Sequence, residues 1–328
     1  MGRKILVIVE HKDGHIKNVS RETLSYCSAA GKKVGYNIKA LIYGRKIDKE
    51  IYTEIANCGV EDIFSIEAEN LVNHNPELIH GTIVKVINNI EPGLIIFGNT
   101  AIGKDLVPCL AQYFSSAMIS DVINIDFGIN NIDVTRPIYG GKVLENIKIL
   151  NGEMVFITVR PNVIGVHETV HLEPNIVNVE LEKITRRTYI VKDVLKKAQI
   201  ELPINEAEII VAGGRAFKKI EDFEILEELA KVLGATVGAS RPVVDLGIKR
   251  RSLQIGQSGK SVSPRLIIVC GISGQIQFVA GIANAKTVIS INKDPDATIF
   301  KTSDYGIVGD VFKIVPLLTK EFKKILIE

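Results

Sequence analysis

Two short apolar runs near the carboxyl end of the chain constrain its fold more than any other feature. Leu266–Gly271 reads LIIVCG and Thr287–Asn292 reads TVISIN, and both are rich in β-branched residues. Such runs, without alternating polar residues, are typical of parallel strands that are buried on both faces. Residues 271–274 read GISG and precede a predicted helix, Gln275–Ile282. This stretch therefore predicts a strand–turn–helix unit of a parallel α/β sheet.

The glycine-rich turn also indicates a binding site for a phosphate-bearing cofactor. A turn of small residues before a helix leaves backbone N–H groups free, and the helix dipole favours an anion there. Ser258, Lys260 and Asn292 supply further donors from nearby polar segments. One such turn, taken alone, favours a tight strand–helix connection without a ligand. The convergence of several polar strand ends on one predicted sheet favours the cofactor site.

The order of predicted elements indicates two α/β domains, which suits a chain of 328 residues. Strands and helices alternate up to Phe114, as in a parallel sheet with right-handed crossovers. The runs IDVTRPIYGG, KVLENIKIL and EMVFITVRP then predict antiparallel additions. The polar segment Glu182–Lys197, followed by Pro203, is a predicted linker. We expect an N-terminal parallel-sheet α/β domain with antiparallel additions at 1–203, followed by a doubly wound parallel α/β domain at 204–328.

Composition argues against several classes of function. The net charge is +2 with both signs interspersed, which does not favour binding to nucleic acid or a membrane surface. The four cysteines form no C-x-x-C pair, so no metal site is predicted from them. No apolar run reaches membrane-spanning length. The first predicted strand begins by Lys4, which leaves no room for a targeting peptide, and we expect a cytoplasmic protein.

The first predicted sheet lacks a nucleotide fingerprint. HKDGH follows the strand KILVIV and Glu10, where a dinucleotide site would have G-x-G-x-x-G. His167 and His171 are four residues apart, but the flanking Pro161 and Pro174 favour strand or loop, and we interpret both as ordinary surface histidines. The first domain is therefore interpreted as a scaffold and a partner surface.

Six segments of the second domain resemble the alpha subunit of electron transfer flavoproteins in sequence, order and spacing. They are GGRAFK, VGASRPVVD, QIGQSGK, GISGQIQF, INKDPDATIF and DYGIVGD. In the first domain ILVIVEH, GKDLVPCLA, ISDV, RPIYGGK and TVRPN extend the resemblance over nearly the whole chain, which has no cysteine-rich ferredoxin-like addition. The resemblance implies that residues 204–328 form an FAD-binding domain and that residues 1–203 bind a beta subunit.

The resemblance also assigns residues to the flavin ring. Arg241 would lie against the isoalloxazine ring, where a guanidinium stabilises the negative charge that develops on reduction. Gln257 and Ser258 would reach the N5/O4 edge of the ring, and Gly259 and Lys260 would complete their loop.

Other residues would bind the rest of FAD. Arg215 and Ser240 would contact the phosphate and ribityl regions, and Ser273 would hold the pyrophosphate with the N–H groups of Gly271 to Gly274. Gln275 opens the predicted helix in which Gln277 would meet the ribityl chain. Asn292 and Asp310 would anchor the AMP half.

The chain departs from the family pattern at three places. Ala216 replaces a glycine and would stiffen its turn. Phe278 stands where the family often has a histidine that donates to the ring O2, so either one stabiliser is absent or a backbone N–H or the partner subunit replaces it. Such a hydrogen bond is worth about 1.5–3 kcal/mol. Residues 249–251, KRR, form either a solvated loop or a docking surface for an acidic redox partner.

The resemblance implies a redox carrier rather than a self-contained enzyme, with chemistry that belongs to its cofactor. A heterodimer with the beta subunit would take electrons from a partner flavin dehydrogenase, such as an acyl-CoA dehydrogenase, and pass them to an acceptor. The chain leaves open an electron-bifurcating system, in which NADH and ferredoxin take part and the beta subunit carries a second FAD. The alternatives are a nicotinamide-dependent dehydrogenase subunit, which the missing G-x-G-x-x-G disfavours, and a structural nucleotide-binding subunit, which Arg241 and Ser258 disfavour.

Overall fold

A computed structural model of the protein shows two compact units. It describes residues 4–71, 75–150, 152–182 and 202–327. Within these, the first unit contains residues 4–138 and 144–182, and the second contains residues 139–143 and 202–327. Each unit is built on a parallel sheet, which confirms the predicted fold class. The predicted linker lies almost entirely outside the described residues.

The first unit alternates strands and helices along most of its length. Its strands are β1 (Lys4–Val9), β2 (His11–Lys12), β3 (His15–Ile16), β4 (Asn37–Gly44), β5 (Asp62–Glu67), β6 (Leu94–Gly98), β7 (Ala117–Val122), β8 (Asn124–Phe127), β9 (Asn131–Ile138), β10 (Val143–Leu150), β11 (Val155–Val159) and β12 (Asn175–Asn178). Its α-helices are α1 (Asn18–Tyr26), α2 (Lys49–Asn57), α3 (Pro76–Ile90) and α4 (Ala101–Tyr113). Seven strands form the main sheet in the order β12-β5-β4-β1-β6-β11-β7, and β10, β9 and β8 form a separate sheet.

The prediction of antiparallel additions is confirmed for one run and wrong for another. IDVTRPI forms β9, which pairs antiparallel with β8. EMVFITVRP instead supplies β11, which lies inside the main sheet and pairs in parallel with both β6 and β7. All five residues of β11 are buried, as in a strand covered on both faces. A hairpin addition with one solvated face would have alternated.

Period-two alternation builds the two apolar layers of the first unit. Strand β1 directs Ile5, Val7 and Val9 to one layer and Leu6 and Ile8 to the other. Each fully buried side chain of this size contributes roughly 1.5–3 kcal/mol relative to exposure. The central position of β1 follows from its being apolar on both faces.

The second unit is a five-stranded parallel sheet. Its strands are β13 (Ile209–Gly213), β14 (Thr236–Ala239), β15 (Leu266–Cys270), β16 (Val288–Asn292) and β17 (Tyr305–Val308), and its α-helices are α5 (Glu224–Leu233), α6 (Arg241–Asp245), α7 (Ile276–Ile282) and α8 (Val311–Ile327). The order β14-β13-β15-β16-β17 reverses direction between β13 and β15. Open α/β sheets bind ligands at the carboxyl ends of the strands at such a reversal.

The closing helix begins earlier than its sequence pattern predicted. The amphipathic pattern of the sequence predicts a helix over Pro316–Ile327, but α8 begins at Val311 and continues through Pro316. Asp310 precedes it and accepts a hydrogen bond from Phe312 N–H (2.9 Å), as an N-cap residue does. Val311 and Val315 pack in the same apolar layer as Leu226 of α5. Among the residues described, none of the helices combines the length and apolar character needed to cross a bilayer.

Candidate functional site

A cleft of about 1230 Å³ lies at the carboxyl edge of the second sheet. One lining residue follows or ends each strand: Arg215 for β13, Ser240 for β14, Gly271 for β15, Asn292 for β16 and Asp310 for β17. These residues meet because the carboxyl ends of parallel strands lie at one edge of the sheet. The cleft therefore occupies the position that the sheet topology predicts for a ligand.

Most of the residues that the sequence singled out line this cleft. Gly259, Lys260 and Gly274 do not, although each belongs to a loop that contributes other lining residues. The predicted residues that do line it are Arg215, Ser240, Arg241, Gln257, Ser258, Gly271, Ser273, Gln275, Gln277, Phe278, Asn292 and Asp310.

Glycines allow the strand ends to approach closely where the sheet reverses direction. Gly214 N–H donates to the carbonyl oxygen of Cys270 (2.9 Å), and a Cβ on Gly214 would lie 2.3 Å from the carbonyl oxygen of Gly271. Gly271 has φ +62°, and a Cβ there would lie 2.4 Å from that of Ala216. The methyl group of Ala216 thus already fills the space beside Gly271, and no larger residue fits at either glycine.

The turn after β15 presents unused donors. Gly271 N–H donates to the carbonyl oxygen of Ile291 within the sheet, so its contribution to the turn is conformational. Within the described part of the chain, the N–H groups of residues 272–275 have no backbone acceptor. Gly274 has φ +87°, and Ile299 N–H holds the turn in place by donating to the carbonyl oxygen of Ser273 (2.9 Å). Consecutive free N–H groups of this kind form an anion-binding concavity.

A short loop, residues 254–260, forms another wall and is held by its own backbone. Lys260 N–H donates to the carbonyl oxygen of Gln254 (2.7 Å), and Gly256 N–H to that of Lys260 (3.1 Å). Gln257 N–H donates to the carbonyl oxygen of Gln277 (2.8 Å), which ties the loop to α7. A Cβ on Gly259 would lie 2.3 Å from the carbonyl oxygen of Gln254, so the loop closes only with glycine there.

Cationic side chains face the cleft. Arg241 is the first residue of α6, and its Nε lies 3.4 Å from Oδ2 of Asp245 one turn later. Both side chains are exposed, at 68% and 63% respectively, so the pair is weak. Arg215 is exposed and has no ion-pair partner among the described residues. Both guanidinium groups are available to a ligand anion.

The side chains of Asn292 and Asp310 already form hydrogen bonds within the protein, which the sequence did not indicate. Asn292 Nδ2 donates to the carbonyl oxygen of Ile272 (3.0 Å), and its Oδ1 accepts from Asp294 N–H (3.1 Å). Its buried amide therefore joins the turn after β15 to the turn after β16. Asp310 caps α8 with Oδ1 and lines the cleft.

Sequence reasoning missed several polar lining residues. They are Lys218, Lys219, Asp222, Asp245, Lys293 and Asp294. Asp222 Oδ2 accepts from the N–H groups of Lys218 (2.7 Å) and Lys219 (3.0 Å), which fixes both at the rim. The i,i+4 spacing of Arg241 and Asp245 is a local signal that could have indicated Asp245 as a neighbour of Arg241.

The structure also sharpens two departures from the family pattern. Phe278 is 6% exposed and packs in the apolar core, and it also lines the cleft. Its side chain therefore separates the core from the cleft. Lys249 is not part of a solvated loop, because its side chain is 14% exposed, pairs with Glu227 and lies 4.9 Å from the centre of the Phe223 ring. Arg250 and Arg251 are exposed.

Cys270 is the last residue of β15, directly before the turn, and its thiol is unreactive. It is fully buried in β15, and burial raises the pKa of its thiol to about 12. A protonated thiol is neither a nucleophile nor a metal ligand. The residue therefore acts as a small apolar side chain.

The corresponding edge of the first sheet is filled by its own side chains. Where β1 and β6 end, Thr100 Oγ1 donates to Oε1 of the buried Glu10 (2.6 Å), and Lys17 Nζ lies 2.9 Å from Oε2. His167 and His171 are exposed in an irregular segment. Among the described residues, no group of three or more His, Cys, Asp or Glu side chains is arranged to hold a metal ion.

Comparisons with known proteins match both parts of the chain to domains of one family. The electron transfer flavoprotein domain matches residues 5–183, and the electron transfer flavoprotein FAD-binding domain matches residues 203–283. The electron transfer flavoprotein subunit alpha of Bacillus subtilis is 41% identical and spans 99% of each chain. That of Thermoanaerobacterium thermosaccharolyticum is 35% identical and spans 98% of each chain. The lactate dehydrogenase (NAD(+),ferredoxin) subunit LctC of Acetobacterium woodii is 33% identical over 96% of this chain and 76% of its own length.

Proposed function

The chain belongs to the family of electron transfer flavoprotein alpha subunits, and from that premise we propose that it carries electrons through FAD held in the cleft of the second unit. FAD, the cofactor that the sequence predicted, is the cofactor of the family domain matched at residues 203–283. The working protein in this proposal is a heterodimer. A beta subunit binds residues 1–203, and electrons pass from a partner flavin dehydrogenase to an acceptor.

The observation that carries the proposal is the match between the cleft and an extended dinucleotide. A concavity without Cβ atoms at Gly271 and Gly274, with free N–H groups at 272–275, suits a pyrophosphate. The loop at residues 254–260 and Arg241 lie on other walls of the same cleft. FAD supplies the electron uptake and release, and the protein supplies binding, orientation and electrostatics.

The side chains around the ring would determine how readily electrons are accepted. Arg241 supplies a permanent positive charge beside the ring, and such a charge stabilises the negative charge that arrives with an electron. Ser258 and Gln257 line the cleft and would offer polar side chains to the ring edge. Phe278 excludes water from the same wall, which strengthens these interactions.

Purification of the co-expressed heterodimer tests the proposal. We expect a yellow protein with flavin absorbance, from which FAD can be removed and then rebound. Arg241→Ala is expected to lower the potential of the bound FAD, whereas Lys324→Ala, which removes an exposed cation from α8, leaves it unchanged. A heterodimer that shows no flavin absorbance even after addition of FAD would contradict the proposal.

The likeness to LctC favours a second candidate, an electron-bifurcating complex that uses NADH and ferredoxin. The number of flavins per heterodimer distinguishes the two systems, because bifurcation needs a second FAD in the beta subunit. Two FAD molecules per heterodimer would support it, and one FAD with one AMP would argue against it. NADH oxidation by the alpha subunit alone would instead support a nicotinamide-dependent dehydrogenase.

A further inference from the structure

Gln254 is a buried polar residue next to the cleft that does not line it. It is 4% exposed, and its position is fixed by backbone hydrogen bonds from its own N–H to the carbonyl oxygen of Arg251 (3.1 Å) and from Lys260 N–H to its carbonyl oxygen (2.7 Å). Because Gly259 has no Cβ, the loop at residues 254–260 can close over Gln254. An unpaired buried amide destabilises the folded protein, so the side chain of Gln254 needs a hydrogen-bond partner.

The partner of Gln254 is Ser258, which does line the cleft. Gln254 Nε2 donates to Ser258 Oγ at 2.9 Å. This is the one side-chain hydrogen bond of Ser258 within the described part of the chain. A serine hydroxyl has two acceptor lone pairs and one proton, and Gln254 occupies one of the lone pairs. The proton of Ser258 is then left for whatever lies in the cleft.

We propose that Gln254 is a positioning residue that makes Ser258 a hydrogen-bond donor toward the flavin ring. The inference rests on the proposed binding of FAD in the cleft. The N5 and O4 atoms of an oxidised flavin accept hydrogen bonds, and a donor placed there stabilises the charge that comes with the first electron. Without Gln254 the hydroxyl rotates freely and donates to solvent or to the loop backbone for part of the time.

A double-mutant cycle on the FAD-loaded heterodimer tests this role. Ser258→Ala removes the donor, and Gln254→Met removes its support at nearly constant side-chain length. Both are expected to lower the potential at which bound FAD takes its first electron, and Ser258→Ala is expected to weaken FAD binding roughly tenfold, a change of about 1.4 kcal/mol. If Gln254 acts through Ser258, Gln254→Met has no further effect on the potential in the Ser258→Ala background.

Controls separate this role from a purely structural one. Ser258→Thr keeps the hydroxyl and is expected to keep the dependence of the potential on Gln254, which Ser258→Ala removes. Gln112→Met exchanges an exposed glutamine of α4 in the first unit and is expected to leave the potential unchanged. Gln254→Asn, whose amide is one methylene shorter, replaces Gln254→Met if the latter does not fold.

The outcomes distinguish this inference from the proposed function. Absence of FAD from the wild-type heterodimer contradicts the proposed function itself. If wild-type protein holds FAD and the two substitutions are additive, Gln254 does not act through Ser258 and the inference is overturned. A potential unaffected by Ser258→Ala overturns it as well, because no donor to the ring was then lost.

Discussion

At the scale of single residues, Asp245 opposes the charge that Arg241 supplies to the cleft. Its carboxylate lies 3.4 Å from Arg241 Nε, and both side chains are exposed. We predict that Asp245→Asn raises the potential of bound FAD, because it leaves the guanidinium uncompensated. The pair is worth about 0.2–1 kcal/mol at an exposed site, which corresponds to a shift on the order of tens of millivolts.

Spectroelectrochemical titration of the variant measures this shift. Glu321→Gln is the matched control, since it breaks a similarly exposed pair with Lys324 on α8. The shift is expected to shrink as salt is added, because exposed charges are screened. A lower potential in Asp245→Asn would mean that Asp245 orients Arg241 rather than competing for it.

Phe278 stands where the family often has a histidine that donates to the ring, and a substitution there can introduce that donor. Its side chain is 6% exposed and reaches both core and cleft. We predict that Phe278→His raises the flavin potential by about 0.1 V, the equivalent of a hydrogen bond to the negatively charged reduced ring of about 1.5–3 kcal/mol. The same change lowers the free energy of unfolding, because part of the imidazole replaces apolar core.

The measurement is a redox titration with a thermal melt on the same sample. Phe278→Leu, which keeps the site apolar, controls for altered packing. A folded Phe278→His variant with an unchanged potential would indicate that a backbone N–H or the partner subunit already supplies the donor.

At the scale of elements, the turn between β15 and α7 depends on the glycine at position 274. A Cβ on Gly274 would lie 2.3 Å from the backbone nitrogen of Ile299 and 2.4 Å from its Cα. We predict that Gly274→Ala displaces this backbone, breaks the hydrogen bond from Ile299 N–H to Ser273 and weakens FAD binding at least tenfold, about 1.4 kcal/mol.

Gly247 supplies the control for backbone strain. It has φ +74°, close to the +87° of Gly274, but a Cβ there would meet nothing within 4 Å. Gly247→Ala is expected to cost roughly 1–2 kcal/mol of stability from the left-handed conformation alone and to leave FAD affinity unchanged. Equal loss of affinity in both variants would show that the strain, and not the contact with Ile299, is responsible.

Elements with a complete local pattern could be predicted from the sequence. Leu266–Gly271 and Thr287–Asn292 correspond to β15 and β16 because short runs rich in β-branched residues and bounded by turn residues favour a buried strand. EMVFITVRP was misassigned because its flanking turns suggested a hairpin, whereas its pairing is set by β6 and β7, which are distant in sequence.

The residues of the candidate site also differ in whether their positions could be predicted from the sequence. The resemblance assigned Arg215, Ser240 and Asp310 to the cofactor, and each of them lines the cleft after a strand, because parallel strands bring their ends together. The role of Gln254 could not be predicted, because it depends on how one loop closes over a side chain. The contacts of Lys249 could not be predicted either, since Glu227 and Phe223 are distant from it in sequence.

At the scale of the whole molecule, the two units have separate cores, and the cleft belongs to the second one. A ligand that binds only the folded state stabilises it by about 2.7 kcal/mol at a hundred times its Kd. We predict that this stabilisation is confined to the unit that holds the cleft. Hydrogen exchange of β15 and β16 should slow on addition of FAD to the apoprotein, whereas exchange of β1 and β6 should not change.

This pattern follows because amide protons in a core exchange only when that core opens. Peptides that contain Leu266–Cys270 and Lys4–Val9 report the two cores separately, and AMP serves as a control ligand that lacks the ring. AMP is expected to protect the same strands as FAD, but less. Equal slowing of β1 and β15 would show that the units open as one, and the second unit would then not be an independent binding module.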